Sequence, residues 1–209
     1  MSDERIVTTP HGEARIVAHR ARRPLATLAL GHGAGGGIGA QDLTRLAKRL
    51  PGQDINVFLI EQPYRRAGRK TPAPAKVLDE SWISILGQMR VRTPLVVGGR
   101  SSGARVACRT AGELGASGVL ALAFPLHPPG RPEKTRVDEL RGVRLPALVI
   151  QGQRDPFGTP EEFPPLTEMA VVPDADHSFK VPKGSELTQA ETLDLVVEAV
   201  LEWVTRTIA

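Results

Sequence analysis

The sequence predicts an α/β fold, a mostly parallel sheet covered by helices on both faces. Three observations carry this. Short runs of Val, Leu, Ile and Ala that suit buried strands alternate with segments of helical periodicity, and the connections between them are short. A chain of 209 residues has the size of a single α/β domain with a full core. The run Pro94-Leu95-Val96-Val97-Gly98-Gly99-Arg100-Ser101-Ser102-Gly103-Ala104-Arg105-Val106-Ala107 reads as a strand, a tight turn and an immediate helix.

The elements follow in order. A strand or hairpin is predicted around Ala14–Ala18, then a strand at Leu25–Leu30, a Gly-rich loop and a helix from about Gln41 to Leu50. Ile55–Ile60 is a continuous apolar run of strand length, as expected for a strand buried on both faces. A basic, Pro-rich loop comes next, and Leu78, Trp82, Ile85 and Met89 then recur at helical spacing. After the strand Leu95–Val97 and its helix, strands are predicted at Val119–Phe124, Ala147–Ile150 and Met169–Val172, with a short helix near Asp138–Arg141. The last helix opens with Thr188-Gln189-Ala190-Glu191, a capping-box pattern in which hydroxyl and carboxylate each serve the other's main-chain amide. Its apolar stripe is Leu193, Val196, Val197, Val200, Leu201, Val204 and Ile208. The Pro-rich pieces at 72–74, 125–132 and 160–165 read as rigid loops. With no repeat and no linker, residues 1–209 are expected to form one domain.

Composition narrows the function. Apolar residues make up 41% of the chain and aromatics only 4%, so the core is built from aliphatic side chains. The charge of +4 comes from arginines scattered among acids, which argues for a solvated surface and against nucleic-acid binding. The charged start Met1-Ser2-Asp3-Glu4-Arg5 lacks the apolar stretch of a signal peptide, and no apolar run is long enough to span a bilayer. A single cysteine excludes an internal disulfide and fits a reducing, cytoplasmic setting. Cys108 reads as a packed core residue. No clustered cysteines and no His-Glu-x-x-His are present, so no metal and no cofactor are expected.

The turn at Ser101 carries the chemistry. Gly99 and Gly103 flank it in a G-x-S-x-G frame, which sets a serine hydroxyl on a sharp strand-to-helix turn at the top of a parallel sheet. Ser102 is a poorer candidate because its own frame holds Arg100 and Ala104. A serine hydroxyl needs a base that is oriented by a third group. Asp155 follows the strand ending in Ile150, and His177 follows the strand ending in Val172. In a parallel sheet all three meet at the carboxyl edge, and their chain order is that of α/β-hydrolases. Asp174 and Asp176 read as loop acids near the site, with Asp176 the alternative orienting acid. His11 and His19 read as structural or solvated. His127, after the strand ending in Phe124, is expected to form a pocket wall or to touch substrate, and is the alternative catalytic base.

The oxyanion donors are assigned to the main-chain N–H groups of Ser102 and of Ala34, in the loop Gly31-His32-Gly33-Ala34-Gly35-Gly36-Gly37. His32 is expected to shape that loop. The same residues match the G-x-G-x-x-G of dinucleotide-binding proteins, with Glu61 where a ribose-binding acid would sit. Against that reading, the helix begins only near Gln41, well past the third glycine. Tyr64 and Arg65 open the basic loop Pro63–Pro72, whose arginines form either a solvated surface or a rim that attracts a carboxylate or phosphate.

Over nearly its whole length the chain resembles an α/β-hydrolase of the small, lidless, dienelactone-hydrolase-like branch. That branch includes a testis-expressed hydrolase-like protein and a subunit of a chromatin-associated acetyltransferase complex. The resemblance rests on Gly31-His32-Gly33-Ala34-Gly35-Gly36, Pro63-Tyr64 with Gly68-Arg69-Lys70, Gly99-Arg100-Ser101-Ser102-Gly103, Phe124-Pro125-Leu126-His127-Pro128-Pro129-Gly130, Gly152-Gln153-Arg154-Asp155-Pro156 and Asp176-His177. It implies Ser101 as nucleophile, Asp155 as orienter and His177 as base, with no cap domain. Ser102 stands where many relatives carry a bulkier residue, which alters pocket shape and leaves the N–H donor in place. The expected function is hydrolysis of small carboxylic esters or thioesters through an acyl-enzyme. The alternative is a non-catalytic interaction module on the same scaffold.

Overall fold

The computed structural model describes residues 2–208. Its eight strands form one sheet in the order β1-β2-β4-β3-β5-β6-β7-β8. The strands are β1 (Ser2–Thr9), β2 (Gly12–His19), β3 (Ala26–Gly31), β4 (Ile55–Glu61), β5 (Leu95–Arg100), β6 (Gly118–Leu122), β7 (Ala147–Gly152) and β8 (Met169–Val172). β1 and β2 form an antiparallel hairpin, β2 runs antiparallel to β4, and all remaining pairs are parallel. The carboxyl ends of β3 to β8 therefore share one edge.

Strand residues alternate between two cores, as the period of two requires. Ala29, Val97, Val119, Ala121 and Val149 face a core with Leu78, Trp82 and Ile85 of α3 (Ala75–Gly87) and Ala104, Val106 and Ala107 of α4 (Ser102–Thr110). Leu28, Leu30, Val96, Leu120, Leu122, Leu148 and Ile150 face Leu43 and Leu46 of α1 (Gln41–Arg49) and Val196, Val200 and Trp203 of α6 (Gln189–Thr207). Two short helices complete the fold, α2 (Pro63–Arg66) and α5 (Val137–Arg141). Residues 123–146, between β6 and β7, hold only loops, a 3-10 turn and α5, so no cap is inserted there.

Several expectations are refined. The basic segment after β4 is not all loop, because proline at the first helical position lets Pro63–Arg66 close one helical turn. Met89 falls beyond the end of α3 and is only partly buried. The capping box at Thr188 forms, with Glu191 N–H donating to the hydroxyl and the Glu191 carboxylate accepting from Thr188 N–H. Leu201 on that helix and Ile208 just past its end are partly buried, whereas Trp203, outside the predicted stripe, is fully buried against Gly118.

Backbone contact sets the carboxyl edge. A β-carbon on Gly103 would lie 2.6 Å from the carbonyl carbon of Gly31, and one on Gly99 would lie 2.4 Å from its oxygen. On helix propensity alone Gly103→Ala would stabilise α4 by about 1 kcal/mol. The steric term is larger and opposite, because no flexible side chain can give way. Gly103→Ala should therefore destabilise the fold by about 1–3 kcal/mol, read as a lower midpoint in urea unfolding; a higher midpoint would contradict the packing argument.

Candidate active site

β5 delivers Ser101 on a strained turn. Its φ of 52° and ψ of −109° are costly for a residue with a β-carbon. The turn is held by Ser101 N–H donating to Leu122 O at 2.9 Å and by the close approach of Gly99 and Gly103 to Gly31. α4 starts at the next residue, so Ser102 N–H belongs to the free amides of a helix N-terminus.

Asp155 lies just beyond β7, fully buried, and His177 lies in the loop after β8. His177 Nδ1 is 2.7 Å from Asp155 Oδ2, and its Nε2 is 2.9 Å from Ser101 Oγ. A carboxylate only accepts, so Nδ1 carries the proton and Nε2 is the lone-pair nitrogen facing the serine. Asp155 also accepts from Gln151 Nε2 at 2.9 Å and from Phe157 N–H at 2.8 Å. These donors make a fully buried carboxylate tolerable. The Phe157 ring stacks on the imidazole with centroids 4.1 Å apart.

The loop after β3 faces the serine from the other side. His32 Nδ1 donates to Gly33 O at 2.9 Å while its Nε2 accepts from Gln62 N–H at 3.1 Å. Both bonds require the neutral ring, and burial pushes its pKa down accordingly. The Tyr64 hydroxyl donates to Ala34 O at 3.0 Å, which anchors the peptide next to it. Among the described residues neither Ala34 N–H nor Ser102 N–H has an acceptor, and both residues line the same cleft as Ser101. That cleft has a volume of about 620 Å³. Its lining includes apolar Pro72, Ala73 and Leu78 and four arginines, Arg100, Arg105, Arg109 and Arg136.

Three residues expected to touch substrate lie elsewhere. Tyr64 is buried and occupied with Ala34 O, and Arg65 sits behind the loop near Gly37 and Glu61. His127 donates from Nδ1 to Pro128 O and from Nε2 to Glu162, both at 2.9 Å, and does not line the cleft. The basic lining is therefore built from Arg100 at the end of β5, Arg105 and Arg109 of α4, and Arg136, and the segment Arg65–Lys70 is not part of it. Asp176 caps its own turn by accepting from Ser178 N–H and Lys180 N–H, and Asp174 accepts from Ser185. His11 pairs with Glu80. Glu61 pairs with Arg15, and α1 begins five residues after Gly36, so the dinucleotide pattern lacks its helix. Burial and the Glu139 charge push the Cys108 thiol up to about 12, which leaves it inert.

Sequence reasoning missed Gln151, Phe157, the Arg100–Asp42 pair and the cleft arginines. One signal was available: Arg105 and Arg109 are spaced i, i+4 on the helix that leaves the serine, so they share a face.

A family model for an alpha/beta hydrolase domain matches residues 24–205. The chain belongs to the α/β-hydrolase domain family. Among solved structures, this chain superposes with a TM-score of 0.76 on a serine hydrolase described as lacking a lid, from Xanthomonas campestris, at 19% identity over 99% of this chain and 95% of that one. A dienelactone hydrolase from Anabaena variabilis gives 0.76 at 16% identity, covering 100% and 99% of the two chains. A serine hydrolase homologue from Coxiella burnetii gives 0.73 at 18% identity, covering 95% and 97%. At these identities the likeness is one of fold. No curated protein sequence matches this chain.

The His127–Glu162 pair predicts a pH-dependent loop. The Pro128 carbonyl, and then Glu162, raise the His127 pKa against the opposing effect of burial. The Thr159 N–H, and then His127, lower that of Glu162. The histidine's contribution is complete below its unfolded value of about 6.5 and is lost as pH rises through the elevated folded value. The glutamate's is complete above about 4.3 and is lost in acid. His127→Gln should therefore cost more stability at about pH 6 than at about pH 9, measured as urea midpoints; an equal loss at both would contradict the pairing.

Proposed function

We propose that the protein is a serine hydrolase of small carboxylic esters or thioesters. The observation that carries this reading is the unbroken line of hydrogen bonds from Asp155 through His177 to Ser101, beside two main-chain amides with no other acceptor. Ser101 Oγ attacks the ester carbonyl as His177 Nε2 takes its proton. The oxyanion rests on the N–H groups of Ala34 and Ser102. As the tetrahedral intermediate collapses, the alkoxide or thiolate leaves with the proton from Nε2. Water then attacks the acyl-enzyme with His177 again as base, which releases the carboxylic acid and restores Ser101. Asp155 stays ionised throughout, accepts from Nδ1–H, and stabilises the imidazolium.

The cleft supports a preference in charge. Arg105 is bidentate to Glu139, and Arg109 is bidentate to Asp79 with a further bond to Glu139. Arg136 only donates to Pro125 O, and among the described residues it has no carboxylate partner. Its guanidinium suits an ester whose acyl or alcohol part carries an anionic group.

A fluorophosphonate probe read by peptide mapping tests the reaction class. The expected outcome is one adduct, on Ser101, and a turnover on p-nitrophenyl esters that falls about a thousandfold or more in Ser101→Ala. No adduct on the folded protein would instead favour a non-catalytic interaction module. Activity should also fall in acid, because protonated His177 cannot accept the serine proton.

The charge preference has its own test. kcat/KM for a p-nitrophenyl hemiester of a dicarboxylic acid should exceed that for the neutral ester of equal length. Arg136→Gln should lower only the former, by about tenfold, the scale of one charge-assisted hydrogen bond. An equal effect on both substrates would rule out this role for Arg136.

A further inference from the structure

One side chain next to Ser101 touches two loops and a helix. Arg100 ends β5, so its main chain runs directly into Ser101. Its Nη2 donates to the main-chain carbonyl of His177 at 2.7 Å and to Ser178 Oγ at 3.1 Å. Its Nε lies 3.4 Å from Asp42 Oδ2, in the first turn of α1. Its Nη1 rests against the loop after β3, where a β-carbon on Gly33 would stand only 3.0 Å away. The Arg100 side chain is 13% exposed and that of Asp42 is 2% exposed.

We propose that Arg100, charge-balanced by Asp42, is a positioning residue that fixes the separation between nucleophile and base; the inference rests on the hydrolase reading above. His177 belongs to no helix or strand, so its backbone must be located by tertiary contacts. Asp155 grips the ring and sets its rotation and tautomer, but a ring can keep that bond while the loop carrying it shifts. Arg100 grips the main chain of the same residue. Because Arg100 and Ser101 are consecutive, the contact closes a short circuit: Ser101 Oγ to the imidazole, the His177 carbonyl to the Arg100 guanidinium, and back along the chain to Ser101. The nucleophile and the base are thus joined twice, once by the reacting hydrogen bond and once by a bond that takes no part in proton transfer.

Asp42 keeps the guanidinium in this role. Arg100 lines the cleft, so without a buried counter-charge it would be free to turn toward an anionic ligand and release the His177 carbonyl. The arrangement is a costly one for stability alone. Asp42 Oδ2 has no hydrogen-bond partner among the described residues, and burial pushes its pKa up against the opposing charges of Arg100 and His177. A half-satisfied buried carboxylate is a poor device for holding a fold together. It is a reasonable one for holding a cation in a fixed place.

Arg100→Met keeps the aliphatic stem but strands the Asp42 carboxylate, so the informative protein is the double variant Arg100→Met with Asp42→Asn, which removes both charges at once. Its kcat on a p-nitrophenyl ester should fall about tenfold to a hundredfold, the scale expected when reacting groups lose their alignment. KM should stay within about twofold, the rate of fluorophosphonate labelling at Ser101 should fall by the same factor as kcat, and Arg100→Lys should recover part of the loss. A folded double variant that keeps kcat and labelling rate within about twofold of wild type would overturn the proposal. Should the double variant not fold, Asp42→Asn alone decides: a lower kcat at unchanged KM supports the role and an unchanged kcat overturns it. If wild type itself neither turns over esters nor labels at Ser101, the hydrolase reading fails separately. The brace is then judged by a crystal structure of Asp42→Asn: a Ser101 Oγ–His177 Nε2 separation clearly longer than the 2.9 Å of wild type supports the role, and an unchanged separation overturns it.

Discussion

The approach of Gly31 to Gly99 and Gly103 is the constraint from which the catalytic edge is built. β3 and β5 are hydrogen-bonded neighbours, and α4 leaves β5 without a connecting loop. For the helix to start there, its first turn must pass over the end of β3 with backbone against backbone, and side chains at those two positions would strike the Gly31 peptide. The strained conformation of Ser101 follows from the same geometry, since the chain must reverse from strand to helix within one residue. Gly31 is also the last residue of β3 before the loop that carries Ala34, so the contact that shapes the serine turn also sets where the facing loop departs.

Around this frame the buried charges fall into two kinds. Asp155 is fully buried and has three donors on its two oxygens, one from a side chain on β7, one from the main chain and one from the imidazole. Asp42 is almost as deeply buried but faces Arg100 over a longer contact and leaves one oxygen without a hydrogen bond. The first is a satisfied carboxylate with a fixed orientation. The second is held chiefly by charge. The arginines of α4 are different again, because Glu139 and Asp79 neutralise them in bidentate pairs, whereas Arg136 has no carboxylate partner among the described residues.

Much of the fold is legible in the sequence because the parallel strands are short, aliphatic and punctuated. Met169–Val172 has the bounds expected of it, and the capping box at Thr188 marks the start of α6 through chemistry that acts over four neighbouring residues. Trp203 stands three residues after Val200 and seven after Val196, so helical spacing puts it on the flank of the same face, where its ring packs against Gly118. At the site, Ser101, Asp155 and His177 are legible because each follows a strand end, and parallel strands bring such ends together. Which arginines enter the cleft is not legible. Arg65 and Arg136 both follow a strand's carboxyl end at some distance, and only the one-turn helix at Pro63 sends the first of them behind the loop. The Arg100–Asp42 pair joins two distant parts of the chain, and nothing local in either segment announces it.

The glycines at the mouth of the cleft differ from those beneath it. A β-carbon on Gly35 or Gly36 would meet nothing within 4 Å, although both residues line the cleft. Neither has the positive φ that excludes side chains. The rim is therefore a place where the chain can be rewritten while the machinery below is left alone. A bulky or charged residue grafted there would narrow the entrance or recolour its charge without disturbing the serine turn. On the hydrolase reading, the entrance can change residue by residue while the backbone contacts beneath the serine, which tolerate no added atom, stay as they are.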